Sequence, residues 1–301
     1  MWRSSLFLFF CQIFLFPAAS FAVETGREFI IASISDTPSE EIKKFQALAD
    51  YLQDNLKEFG YESSRVLVAR TTDDIANAIQ EKQVDLFLDS PLVVESVNRK
   101  VGSRTILRRW KKGKSHYHTV IFSLKNSPVL ALPDLKSQTI AFDSKSSTSG
   151  FLMPRAMFLD QGLPLRETQP GQDATPDNNA VNFVISGHDE NTLTWVLHQR
   201  VDAGAMSNQK LEKLTNSDLS QLKIIDRSNP IPRHAVTFSP HLSEEIVDKL
   251  VQLLSRMHLS EKGRKVLKKA EKTAKFDVMP ETELVLIREL YDKNAAEPRN
   301  R

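Results

Sequence analysis

Strand-length apolar runs alternate with helix-length amphipathic segments along most of this 301-residue chain, and that alternation restricts the folds open to it. Phe29-Ile30-Ile31-Ala32-Ser33-Ile34 reads as a strand. Thr37-Pro38-Ser39-Glu40 reads as a capping box with Pro at the first helical position. The helix it opens carries Ile42, Phe45, Leu48, Leu52 and Leu56 at spacings of three and four, and Gly60 ends it. A second strand is expected at Val66–Ala69. A helix capped by Thr72 follows, with Ile75, Ala78 and Ile79 facing inward, then a third strand at Val84–Leu88. Asp89-Ser90-Pro91 starts another helix. Strands separated by helices favour a mostly parallel sheet with helices on both faces.

The pattern resumes after residue 118. Strands are expected at Thr139–Phe142, Val181–Ile185, Ala203–Met206 and Lys223–Ile225, with helices at Gly150–Gln161, from about Glu190 to His198, and from Ser207. Ser243 caps a helix bearing Ile246, Val247, Leu250, Leu254 and Met257, and Glu281–Tyr291 is the last helix. The expectation is an α/β fold of two lobes, each a mostly parallel sheet flanked by helices. Two crossovers, Tyr117–Ser123 and Ser228–Ala235, join them as a hinge. The first lobe spans 23–118, the second 119–227, and 228–301 returns to the first.

Residues 1–22 read as a secretory signal peptide. Arg3 supplies the positive start, Leu6–Phe16 is almost wholly apolar, and Ser20-Phe21-Ala22 places cleavage before Val23. The only cysteine, Cys11, lies in that segment behind Phe9-Phe10, where a lipoprotein site would want small residues. The mature chain would then have no thiol, which is compatible with an oxidising compartment. With 40 Lys and Arg against 38 Asp and Glu, the chain has no field suited to nucleic acid.

The strand-to-helix turns carry the chemistry. Asp143-Ser144-Lys145-Ser146-Ser147-Thr148-Ser149-Gly150 puts hydroxyls, backbone N–H groups and a glycine where a helix begins. A helix N-terminus leaves N–H donors unpaired and carries partial positive charge, so such a turn can hold an anion; a Ser/Thr helix cap has the same signature. Asp89, with Ser90, reads either as a ligand contact or as a helix cap. As a contact it would accept a proton-bearing ligand oxygen or pair with an ammonium. His188, in Gly187-His188-Asp189-Glu190, reads as an oxyanion donor or a structural loop histidine, with Asp189 as the capping residue. His116 and His118 could share a strand face, but no third metal ligand is specified, and no metal or cofactor is expected. Arg108–Lys114 reads as a solvated basic face that flanks the cleft between the lobes.

Together these residues resemble the PhnD-like periplasmic phosphate/phosphite/phosphonate-binding proteins of ABC transporters. The resemblance runs from about residue 29 to 279. It is carried by Asp89-Ser90-Pro91, Leu107-Arg108-Arg109-Trp110-Lys111, the block from Ala141-Phe142 through Ser146-Ser147-Thr148-Ser149-Gly150 to Pro154, and Asp202-Ala203-Gly204-Ala205-Met206. It implies a type 2 periplasmic-binding fold whose cleft closes on a small phosphorus oxyanion. Ser147, Thr148 and Ser149 would hold the oxyanion head, and His188 matches the second-lobe histidine. Ser146 and Asp36 complete the candidate set. Characterised phosphonate binders place tyrosines in the first lobe. Here Ser35-Asp36-Thr37 and Asp89-Ser90-Pro91 follow the first and third strands without one. The implied activity is a monomeric solute receptor, not an enzyme, serving an ABC permease in the periplasm. Alternatives are a binding protein for a sensor kinase or chemoreceptor, and a phosphate-ester hydrolase using His188 and Asp89.

Overall fold

The computed structural model describes residues 26–168 and 179–296. The expected signal peptide and the cleavage point before Val23 lie outside these residues. In chain order the first sheet's strands and helices begin with β1 (Arg27–Ile34), α1 (Pro38–Asp54), β2 (Tyr61–Ala69), α2 (Thr72–Gln80), β3 (Leu86–Asp89), α3 (Pro91–Val101) and β4 (Arg104–Arg109). The chain continues through β5 (His116–Tyr117), β6 (Thr119–Leu124), β7 (Thr139–Phe142), α4 (Met153–Asp160), β8 (Leu165–Glu167), β9 (Val181–Ile185) and α5 (Asp189–Leu197). Next come β10 (Ala203–Ser207), α6 (Asn208–Leu211), α7 (Asn216–Gln221), β11 (Leu222–Arg227) and β12 (Ile231–Pro232). β13 (Ala235–Phe238), α8 (Glu244–Arg256), α9 (Glu261–Lys269), β14 (Phe276–Val278) and α10 (Glu281–Ala295) complete it.

Two six-stranded mixed sheets result, in the orders β14-β4-β13-β3-β1-β2 and β11-β6-β10-β7-β9-β8. β1 runs parallel to β2 and β3, and β7 parallel to β9 and β10. β13 and β6 run antiparallel to their neighbours, because the chain enters each of these strands from the other sheet. Between the sheets, β5 and β12 form a two-stranded antiparallel ribbon pairing Tyr117 with Ile231 and His116 with Pro232. The first crossing is thus shorter than the sequence suggests: Thr119–Leu124 already belongs to the second sheet.

β1 shows why these runs form buried strands. Phe29 and Ile31 point into a core with Phe45, Leu48 and Leu52 of α1 and Leu250 and Leu254 of α8. Ile30 and Ala32 point to the opposite face, with Ile75 and Ile79 of α2 and Leu92 and Val97 of α3. A strand covered on both faces reads as a continuous apolar run rather than an alternating one. Each such side chain stabilises the fold by about 1.5–3 kcal/mol on burial. In the second sheet, Ile140 and Phe142 of β7 pack with Phe158 and Phe183, while Ala141 packs with Phe122 and Val184 on the other face.

Several local expectations are corrected. Thr37 does not cap α1 with its side chain; its hydroxyl meets Ser35 Oγ at 3.2 Å instead. Ile42 is 39% exposed, because the apolar stripe of α1 begins at Phe45. The capping box of α2 belongs to Thr71 and Asp74, one residue before Thr72. His188, not Asp189, occupies the N-cap position of α5, without a side-chain cap bond. No described helix is long and apolar enough to cross a membrane.

Candidate functional site

β1 and β3 end, and the helix after β7 begins, around one cavity of about 290 Å3. Ser33 and Ile34 from β1, Asp89 and Ser90 from the β3–α3 turn, and Ser147, Thr148 and Ser149 from the second sheet line it. Glu41, Lys44 and Phe45 of α1, Leu88 of β3, Lys111 after β4, Tyr117 of β5, Arg233 and His234 after β12, and Glu271 after α9 complete the wall. The structure therefore brings together five residues expected from sequence: Asp89, Ser90, Ser147, Thr148 and Ser149. Asp36, Ser146 and His188 are exposed and outside this lining.

The serine–threonine turn has an unusual backbone. Thr148–Leu152 is a single π-helical turn that runs directly into α4. Pro154 accounts for it in part. With no N–H, it cannot bond the carbonyl of Gly150 four residues earlier, and that carbonyl instead accepts the Asp143 N–H at 3.4 Å. Ser147 Oγ caps the turn by accepting the Gly150 N–H at 3.1 Å. Ser149 is fixed by its carbonyl, which accepts from Thr119 Oγ1 at 2.8 Å. Gly150 is required by close approach: a Cβ there would sit 2.7 Å from Asp143 Cβ and 2.8 Å from Ser147 Oγ.

Thr148 and Ser149 are part of the cavity lining. The Thr148 and Ser149 N–H groups donate to no acceptor among the described residues. Thr148 is 3% exposed, yet among the described residues its Oγ1 has no hydrogen-bond partner. A buried hydroxyl left without a partner costs about 1–3 kcal/mol. The Tyr117 hydroxyl sits beside the side chains of Thr148 and Ser149; its burial pushes its pKa up to about 12, so it stays a neutral donor.

The opposite wall is ionic. Lys44 Nζ lies 2.8 Å from Glu41 Oε2, whose other oxygen accepts from Ser33 Oγ. Lys111 and the fully buried Arg109 share Glu271 Oε2 at 3.0 and 3.1 Å. Burial opposes ionisation of Glu271, but these two cations outweigh it and hold the carboxyl down to about 2. Burial likewise lowers Lys111 to about 8. Asp89 is half-buried, and burial raises its pKa although Ser90 N and Oγ both donate to Oδ1, at 2.6 and 3.1 Å. His234 is buried, and its pKa lies well below the usual value through burial and the nearby cations.

The basic run is thus corrected. Arg108 and Arg109 are buried, not solvated: Arg108 pairs with Asp277 and Glu283, and Arg109 also donates to Thr273 Oγ1 and the Ala270 carbonyl. Only its Lys111 reaches the cavity. Sequence reading missed Lys44, Glu41, Arg233, His234 and Glu271, which sit in ordinary amphipathic or loop contexts. Tyr117 had a signal, its place at the crossing, and it puts a tyrosine against the Thr148–Ser149 turn from the β5–β12 ribbon. His116 bonds Glu283 and Arg108, and among the described residues no group of three potential ligands could hold a metal ion.

Comparison with known proteins gives a consistent picture. The phosphonates-binding periplasmic protein of Escherichia coli (strain K12) is 27% identical over 295 residues, covering 94% of this chain and 81% of that protein. Among solved structures, XAC2383 from Xanthomonas citri, bound to ATP, superposes with a TM-score of 0.82 at 22% identity over 89% of this chain and 97% of that one. PhnD1 from Prochlorococcus marinus in complex with methylphosphonate gives 0.65 at 18% identity over 90% and 99%. These likenesses establish the two-lobed fold. Residues 31–282 match the family of phosphonate periplasmic substrate-binding proteins of ABC transporters, and the chain belongs to that family.

Proposed function

We propose that this protein captures a small phosphorus oxyanion (phosphate, phosphite or a phosphonate) in the cavity between its two sheets and delivers it to an ABC permease. The observation that carries the reading is the Thr148 hydroxyl, buried and, among the described residues, without a partner, on a turn whose Thr148 and Ser149 N–H groups also donate to none of them. An oxyanion seated there would accept from Thr148, from the Thr148 and Ser149 N–H groups, and from the Ser149 and Tyr117 hydroxyls. Such charge-assisted bonds contribute about 1.5–3 kcal/mol each. No nucleophile–base pair is needed for this task, and the cavity chemistry is that of binding. His188, an element of the hydrolase alternative, stands outside the lining.

The ribbon of β5 and β12 serves as the hinge, with the first lobe at 23–118 and 228–301 and the second at 119–227. Closure brings Asp89 and Ser90 of one lobe toward the turn of the other. A thermal-shift screen of phosphate, phosphite, methylphosphonate, aminoethylphosphonate and sulfate tests the reading. A true ligand at a hundred times its dissociation constant adds about 2.7 kcal/mol of stability. Stabilisation by phosphorus oxyanions is expected; none from any of them overturns the reading.

A further inference from the structure

Resting on that reading, we infer that Arg233 is the residue that selects a doubly charged oxyanion over a singly charged one. Among the described residues the cavity lining holds three cationic side chains, and two of them each face a carboxylate. Lys44 faces Glu41 at 2.8 Å. Lys111 faces Glu271 at 3.0 Å, although Arg109 shares that carboxylate and leaves one positive charge in surplus. Arg233 differs: among the described residues no carboxylate lies within ion-pair distance of it. Its Nε donates to Gln209 Oε1 at 2.9 Å, and its guanidinium carbon lies 4.5 Å from the centre of the Tyr117 ring. Its backbone N–H is tied to the Ser115 carbonyl at 2.7 Å.

Side chain and backbone are thus pinned by neutral partners. The two Nη atoms donate to nothing among the described residues, while the residue lines the cavity. A guanidinium held this way is a preorganised fork for two oxygens of one anion. The charge count follows. Arg233 and the surplus from the Arg109–Lys111–Glu271 group make two positive charges, against Asp89 alone, whose burial works against its ionisation. A dianion completes that balance; a monoanion leaves a buried positive charge uncompensated. The position also matters. Arg233 follows β12 in the hinge ribbon and is bonded to Gln209 of α6 beside the second sheet, so the ligand's charge is read where the lobes pivot.

The test compares two ligand pairs by calorimetry slightly above neutral pH: methylphosphonate with its monomethyl ester, and phosphite with hypophosphite. Each pair keeps the phosphorus head and differs by one charge. The native protein should prefer the dianion of each pair by at least about tenfold, one lost charge-assisted bond. In Arg233→Gln that preference should collapse to within about threefold while both monoanions keep most of their affinity. Arg233→Lys keeps the charge without the fork; it should retain the preference and bind both members of each pair more weakly. A native protein that binds none of the four refutes the proposed function itself. Binding with an unchanged dianion preference in Arg233→Gln refutes the role of Arg233 alone. If Arg233→Gln does not fold, an Arg233→Lys protein with native affinity refutes it equally.

Discussion

Lys111 Nζ lies 3.0 Å from Glu271 Oε2, and the same oxygen accepts from Arg109 Nη2 at 3.1 Å, so residues distant in sequence hold a charged cluster at the cavity wall. The cluster makes the charge of Lys111 sensitive to pH, since burial brings its pKa to about 8. Affinity for the dianionic form of the ligand should therefore be level below that value and fall as pH rises through it, because the lost proton removes a positive charge from the site. Calorimetry with methylphosphonate across this range checks it. Glu271→Gln should cost about 3–5 kcal/mol of stability by leaving Arg109 buried without its carboxylate, measurable by urea denaturation.

Thr148→Val should separate stability from function. The replacement keeps the shape and removes a hydroxyl that is buried without a partner among the described residues. The ligand-free protein should become more stable by about 1 kcal/mol, while oxyanion affinity falls about tenfold or more. Denaturation of the ligand-free variant and calorimetry of the same sample measure both. A loss of stability would mean that the hydroxyl has a partner within the protein.

Asp143 lies behind the same turn, and burial, reinforced by Asp189, raises its carboxyl to about 6. A group with a raised folded-state pKa adds stability below its unfolded pKa of about 3.8, and that contribution is lost as pH rises through about 6. The native protein should therefore lose roughly 2–3 kcal/mol relative to Asp143→Asn between those limits. Thermal melts of both proteins over that window check the sign and the size.

α10 packs on α3 beside the first sheet and on α4 beside the second. Arg155 Nη1 donates to the Asn294 carbonyl at 2.7 Å, Asn294 Nδ2 donates to the Leu152 carbonyl at 3.1 Å, and Lys293 pairs with Asp160. Met153 shares a core with Ile287 and Leu290. If the β5–β12 ribbon is the hinge, as proposed, a helix packed on both sides restrains rotation about it. Asn294→Ala should raise the radius of gyration of the ligand-free protein in small-angle scattering, and saturating ligand should reverse the change.

Much of this molecule was legible in sequence because the determining interactions are local. The apolar runs of β1, β3 and β7 are strands buried on both faces, and Ser147, Ser207 and Ser243 cap helices as their positions suggest. The Asp89-Ser90 and Ser147–Ser149 turns meet because both follow strands that end on the cavity side. What stayed hidden depends on partners far along the chain. Arg108 and Arg109 look like a solvated run until Glu271, Asp277 and Glu283 arrive to neutralise them. Arg233 gives no local sign of its role, since its setting is made by Tyr117 and Gln209. His188 shows the converse: a residue matched by family likeness is exposed and is not part of the cavity lining.

The central claim is that the Ser147–Ser149 turn holds a phosphorus oxyanion. Calorimetric titration of methylphosphonate, phosphite and phosphate into the native protein and into the Ser147→Ala, Thr148→Ala, Ser149→Ala triple variant tests it most directly. The account predicts a saturable, one-to-one isotherm for at least one of the three with the native protein. The folded triple variant should show no measurable binding, since each lost bond to the charged head removes about 1.5–3 kcal/mol. An affinity unchanged in the folded triple variant would contradict the account.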